Sequence, residues 1–403
     1  MILLLASLGF AQELDDDEAE GDRVTEGAPA LRLGPSEAPP PRTVRAGEGT
    51  WPATVSAAAT ALSLEEDFIG ACYEAAEDLY ARDYAGAGKR FTQIEQAYPG
   101  RGVGNTGLVL VLQSNMMENF DFRGESKYRK HSAAAREELT AGLSQPGAEA
   151  WEHFLLGALA GVDAIHTMRR GDYVPAIKQG FDAVEHIDQT RALAPDFKDI
   201  LLLDGLWDYW KSAASLSSKA IPDEDNRAQG IQRMQRAEQE AAFLGPGASL
   251  ALAFTYIEER DYDSALVQTA RNHKAYPDNV INNLVHARNL IYLRRYDSSI
   301  GVLKQILRDD TDNQRAHYYL ATCYLRTSKL DQATEHIDTY LGFAGLDDYY
   351  RAQAQSRKGD IAFKSKDYAT AESWYRQAVK TDGYSPAKRR LKKLKEMKKE
   401  GVY

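Results

Sequence analysis

From Ser63 onward, apolar residues recur at three- and four-residue spacing, interrupted by Gly, Pro, Asn and Asp, which predicts helices joined by short turns. Within Pro246–Asp347 this pattern itself repeats. The small residues Ala265, Ser299 and Ala333 stand 34 residues apart. An aromatic or leucine lies three positions before each (Tyr262, Tyr296, Leu330), and an alanine twelve before (Ala253, Ala287, Ala321). A unit of that length must stack on its neighbours to bury its apolar face, so an array of helical hairpins is predicted. The regular units are Pro246–Asn279, Val280–Asn313 and Gln314–Asp347. A fourth begins near Ala352 and uses Gly359, Tyr368, Ala371, Tyr375 and Ala378.

The earlier half keeps the helical pattern but loses the strict interval. Ser63 and Glu66 form a capping box before a degenerate unit carrying Ala75, Tyr84, Ala87, Phe91 and Pro99. A helix over Glu149–Arg170, a turn at Gly171-Asp172-Tyr173 and a long second helix to about Ala194 follow. Pro195–Asp199 then opens a helix over Ile200–Ser212 with Gly205, Trp207, Tyr209 and Trp210. Next comes a helix over Ala228–Phe243, ended by Gly245 as its C-cap. The aromatic cluster at 207–210 is expected to be a packed joint; a ligand pocket is the alternative.

The 34-residue interval and its small positions resemble the tetratricopeptide-repeat family. That resemblance implies an all-α solenoid, a right-handed superhelix of hairpins whose first helices line a concave groove. Residues Trp151–Leu307, with Pro195, Asp199, Gly205 and Tyr209, are similar to a family of bacterial cell-envelope tetratricopeptide-repeat proteins with no settled activity. Carried over by repeat offset, the groove is expected at Leu284, Arg288, Tyr292, Tyr318, Tyr319, Thr322, Arg326 and Arg357. The lysine of the carboxylate-binding version is absent, since its offset holds Leu250, Leu284, Tyr318 and Ser356. An aromatic groove with arginines at its rim suits a peptide with apolar anchors and some acid.

The termini differ from the middle. Met1–Ala11 is an apolar run with small residues at Gly9 and Ala11, and reads as a signal peptide, although a basic start is missing. Residues 12–62 are expected to be a disordered linker: an acidic block from Glu13 to Asp22 and a Pro-rich stretch bury too little apolar surface. Degenerate hairpins are placed at 63–245 and the regular array at 246–385. Residues 386–403 form a basic helix that caps the array; an anionic lipid or acidic partner is its alternative contact.

Little in the composition points to chemistry. The net charge of −10 argues against nucleic acid. Two distant cysteines, Cys72 and Cys323, are expected in the core rather than in a metal site or disulfide. GVGNTG at 102–107 lacks the flanking strand of a dinucleotide site and is read as a loop between units. Glu-His-Ile-Asp occurs at 185–188 and 335–338, on second helices, without a ligand pair. No catalytic, cofactor or metal residues are assigned. The expectation is a non-enzymatic scaffold of the bacterial envelope that binds a protein partner. The runner-up is a peripheral membrane factor docked through the basic C-terminal helix.

Overall fold

The computed structural model describes residues 51–119, 121–144, 149–217 and 224–401, without the side chains of 214–217. Met1–Ala11 and most of the expected linker lie outside them. The described residues form eighteen α-helices and no strand, as the periodicity implied.

The repeat is dictated by its turn. In the regular array, helices α10 (Gly245–Glu258) and α11 (Tyr262–Ala275), α12 (Val280–Tyr292) and α13 (Tyr296–Asp309), and α14 (Gln314–Arg326) and α15 (Leu330–Gly342) form successive pairs. Between the partners stand Arg260, Arg294 and Ser328, all at positive φ and 34 residues apart. In each turn the next residue donates a 2.8 Å bond to a carbonyl five back: Asp261 to Tyr256, Arg295 to Leu290, Lys329 to Tyr324. This satisfies the orphan carbonyls of the first helix and reverses the chain. Asp261 then caps α11 through Ser264 N–H. Ala265, Ser299 and Ala333 are fully buried where the paired helices meet. Serine is accepted at 299 because its hydroxyl donates to Ala287 O. Helices α16 (Asp348–Lys364) and α17 (Tyr368–Asp382) repeat the plan around Lys366.

The chain divides into two compact units, and the division falls after Asn282 rather than at the 245/246 change from irregular to regular repeats. The first holds α1 (Ala53–Leu62), α2 (Glu66–Tyr80), α3 (Tyr84–Ala97), α4 (Val103–Glu118, to Met117), α5 (Glu125–Gly142), α6 (Glu149–Arg169), α7 (Tyr173–Leu193), α8 (Ile200–Ser217), α9 (Arg227–Glu240), α10 and α11. It closes on itself. Tyr276 donates to the Glu77 carboxylate at 3.0 Å and Asn279 to Tyr80 O at 2.9 Å, each across 199 residues. The second holds 118–121 and the chain from Asn283. It ends in α18 (Ser385–Lys399).

Three expectations change. Residues 53–62 are helical, not linker: Val55, Ala58, Ala59 and Leu62 make a buried stripe that the alanine-rich composition disguised. The GVGNTG run is not a loop, because α4 begins at Val103. A Cβ on Gly107 would sit 2.1 Å from the Phe91 ring, so that glycine serves packing. Gly245 is not a C-cap; α9 ends at Glu240 with Ala241 as its C-cap, and Gly245 opens α10, for a reason given by Asp199 below. The apolar stripe of α18 faces the protein's own core, as a capping helix requires. Leu394 is buried in the last core cluster, with Leu391 and Met397 packed against it, while Arg390 Nε pairs with Asp360 at 2.6 Å. No helix among the described residues is long and apolar enough to cross a membrane. Cys72 and Cys323 are buried free thiols, and burial pushes Cys323 up to about 12.

The two Glu-His-Ile-Asp copies have a shared role. His186 Nδ1 meets His153 Nδ1 at 2.9 Å, and His336 Nδ1 meets His317 Nδ1 at 2.9 Å, so each ties the two helices of its hairpin. Head-to-head imidazoles can share one proton but not hold two. Burial, then the partner ring, holds His186 and His336 below the usual 6.5; burial does the same for His153. A depressed folded pKa means the unfolded chain takes up the proton first. Stability is therefore full above pH 6.5 and declines as pH falls through 6.5 toward the folded values. We expect thermal melts to lose several degrees between neutral pH and pH 5. The loss should be shallower in His186→Gln/His336→Gln; parallel curves for the two proteins would contradict the pairing.

Candidate functional site

The eight residues expected to line a groove come together only in part. Arg288 donates to Tyr292 Oη at 3.0 Å, Arg357 to Tyr318 Oη at 3.1 Å, and the Tyr318 and Tyr319 rings lie 6.1 Å apart. Yet Leu284, Arg288, Tyr318, Tyr319, Thr322 and Arg357 are each no more than 3 % exposed. Tyr292 and Arg326 are half-buried. The expectation of an open groove at these side chains is corrected. Arg288 and Tyr292 engage each other within α12, Arg357 on α16 reaches Tyr318 on α14, and Thr322 donates to Tyr318 O within α14.

The concavity lies elsewhere, in the first unit. A cavity of about 750 Å3 is lined by α2, α3, α4, α6, α7, α8, α9, α10 and α11 and by the first turn of α12. Its walls are apolar: Leu79, Phe91, Leu110, Phe154, Leu155, Ile165, Leu201 and Leu250 all face it. Small residues on α6, Gly157, Ala158 and Gly161, leave the room. One side is charged. Arg191 bridges Asp188, at 2.6 Å, and Asp204, while Arg233 pairs with Asp208. Burial raises the Asp208 carboxyl above its usual range, with Arg233 acting against it. Asn282 lines the cavity 2 % exposed, its Nδ2 donating to Thr269 O and its Oδ1 without a partner.

Sequence reasoning found parts of this. Leu250, at the offset where the carboxylate-binding version carries lysine, lines the cavity. The aromatic cluster splits between its two readings. Trp207 lines the cavity, whereas Tyr209 is the joint, fully buried and donating to Glu259 at 2.7 Å. Glu259 also accepts from Arg227 at 2.9 Å. The rest was missed because the irregular helices carry no offset rule. An apolar residue facing a cavity reads in sequence like one facing a core.

Two family models described as tetratricopeptide repeat match the chain, at residues 290–356 and 344–386. Residues 290–386 thus carry tetratricopeptide repeats, in the C-terminal part of the chain. Such repeats generally mediate protein–protein interaction. No curated protein sequence matches it. Among solved structures it is similar to a human IFIT1 dimer with m7Gppp-AAAA, at 14 % identity and TM-score 0.48, covering 87 % of each chain. It is also similar to human IFIT1 with PPP-AAAA, at 15 % identity and TM-score 0.46, covering 79 % of this chain and 80 % of that one. The P58(IPK) tetratricopeptide-repeat domain matches at 14 % identity and TM-score 0.27, covering 83 % of this chain and 99 % of that one.

Proposed function

We propose that the protein is a non-enzymatic scaffold that holds a partner protein against the apolar cavity of its first unit. The observation that carries this is the cavity itself: about 750 Å3 with hydrophobic walls and charged groups gathered on one side. Sites of that kind bury an apolar anchor and fix its orientation with a few polar contacts. The repeats support the same class, because stacked hairpins present extended surfaces to other chains. The reading includes export to a bacterial envelope, motivated by the apolar run Met1–Ala11. N-terminal sequencing of the protein from its source cells tests that part, and an uncleaved Met1 in the cytosol would refute it.

Filling the cavity tests the rest. Leu201→Trp with Leu250→Trp should occlude the space. In affinity capture from native extracts, the proteins recovered with the wild-type chain should be depleted about ten-fold or more with the variant. Circular dichroism should be unchanged. An identical set of captured proteins at unchanged yield would reject the cavity as the partner site.

A further inference from the structure

Seven large apolar side chains stay exposed among the described residues, and five of them are on α7: Tyr173, Val174, Ile177, Phe181 and Leu193. Val174 is 80 % exposed, Ile177 59 % and Phe181 58 %. The spacing 174, 177, 181 puts these three on one face of the helix. The same face continues through Glu185 and Asp188, with Asp182 beside it, and all three acids are exposed. Thus α7 offers solvent an apolar half, interrupted by exposed Lys178, followed by an acidic half in which Asp188 is already paired with Arg191, leaving Asp182 and Glu185 as the acids that face a ligand. At the join, the Phe181 ring meets Trp207 edge-on at 5.9 Å, and Trp207 and Asp188 both line the cavity. The exposed stripe and the cavity are one continuous surface within the first unit.

Resting on the scaffold reading above, we infer that α7 takes a cationic amphipathic helix of the partner. Its apolar residues pack on Val174, Ile177 and Phe181, and its Lys or Arg residues lie one to two turns further along, against Asp182 and Glu185. Charge complementarity selects this occupant. The chain's own apolar segment Met1–Phe10 has no Lys or Arg to meet the acids. In α18, the basic helix of this chain, the leucines are already packed in their own core, so a second copy does not offer them. An anionic lipid surface would be repelled by the acidic half.

Fluorescence anisotropy with the full chain tests this. The probes are two labelled ~18-residue helical peptides with identical leucine positions, one carrying Lys and the other Glu on the polar face. The Leu/Lys peptide should bind in the micromolar range, more tightly at low salt, and at least about ten-fold better than the Leu/Glu peptide. Ile177→Asp should weaken both. Asp182→Lys with Glu185→Lys should invert the preference. Equal binding of the two peptides, or an uninverted preference in the reversal variant, would overturn the proposal. Two further results would also overturn it by naming another occupant. One is a dimer that dissociates on Ile177→Asp. The other is co-sedimentation with phosphatidylcholine vesicles that Ile177→Asp abolishes. If capture through the cavity persists while neither peptide binds, the α7 proposal falls and the scaffold reading stands.

Discussion

Asp199→Ala should destabilise the first unit by about 3–5 kcal/mol, the largest single-residue effect expected in the protein. Asp199 is fully buried at the start of α8. Its Oδ2 accepts from Ala242 N–H, and its Oδ1 from Phe243 and Leu244 N–H, each at 2.8 Å. These are donors of the connection between α9 and α10, which no helix satisfies. A buried N–H without an acceptor costs about 1–3 kcal/mol. Alanine strands three at once, less whatever water can enter. Asn should fall between, because its oxygen can replace Oδ1 while its NH2 would confront Ala242 N–H. Four of the five tryptophans, Trp51, Trp151, Trp207 and Trp210, belong to the first unit. Urea unfolding followed by tryptophan fluorescence therefore reads the right part of the chain. A shift in midpoint equivalent to less than about 1 kcal/mol would show that the carboxylate is dispensable.

Gly205→Val should be nearly as damaging, at about 3 kcal/mol or more. The α8–α9 pair crosses backbone to backbone. A Cβ on Gly205 would lie 2.6 Å from Gly230 O, and one on Gly230 would lie 2.5 Å from Gly205 O. No side chain can rotate away from these contacts, because the obstacle is main chain. The helices must separate, and Tyr209, one turn along, would lose its fit against Glu259. The same urea experiment measures it. Gly205→Ala should show a smaller loss in the same direction. Wild-type stability in Gly205→Val would mean that the helices have room the structure does not give them.

These two residues show how far the sequence could be read. Pro195, Asp199, Gly205 and Tyr209 stood out as a pattern before any geometry was available. Their reasons were not legible, since the partners of Asp199 lie 43 to 45 residues away. Local reasoning assigned Gly245 to the end of α9; a distant carboxylate assigns it to the start of α10. The regular repeats were readable because their turns are local. A left-handed residue, a bond to the carbonyl five back and a small residue at the helix crossing recur every 34 positions. The cavity was not readable, because it is bounded by ten helices and closed by contacts 199 residues apart. The groove offsets misled for a related reason. An offset fixes which helix face a residue occupies, but not whether a neighbouring ring already covers that face, as at Tyr318 and Arg357.

The central claim is that the first unit grips another protein at its cavity. Site-specific photocrosslinking in the source cells tests it directly, with benzoylphenylalanine placed at Leu201, at Phe181 or, as a control, at exposed Lys392 on α18. One and the same partner should be crosslinked from Leu201 and Phe181 and not from Lys392. Crosslinks from Lys392 alone, with none from the cavity or α7, would contradict it.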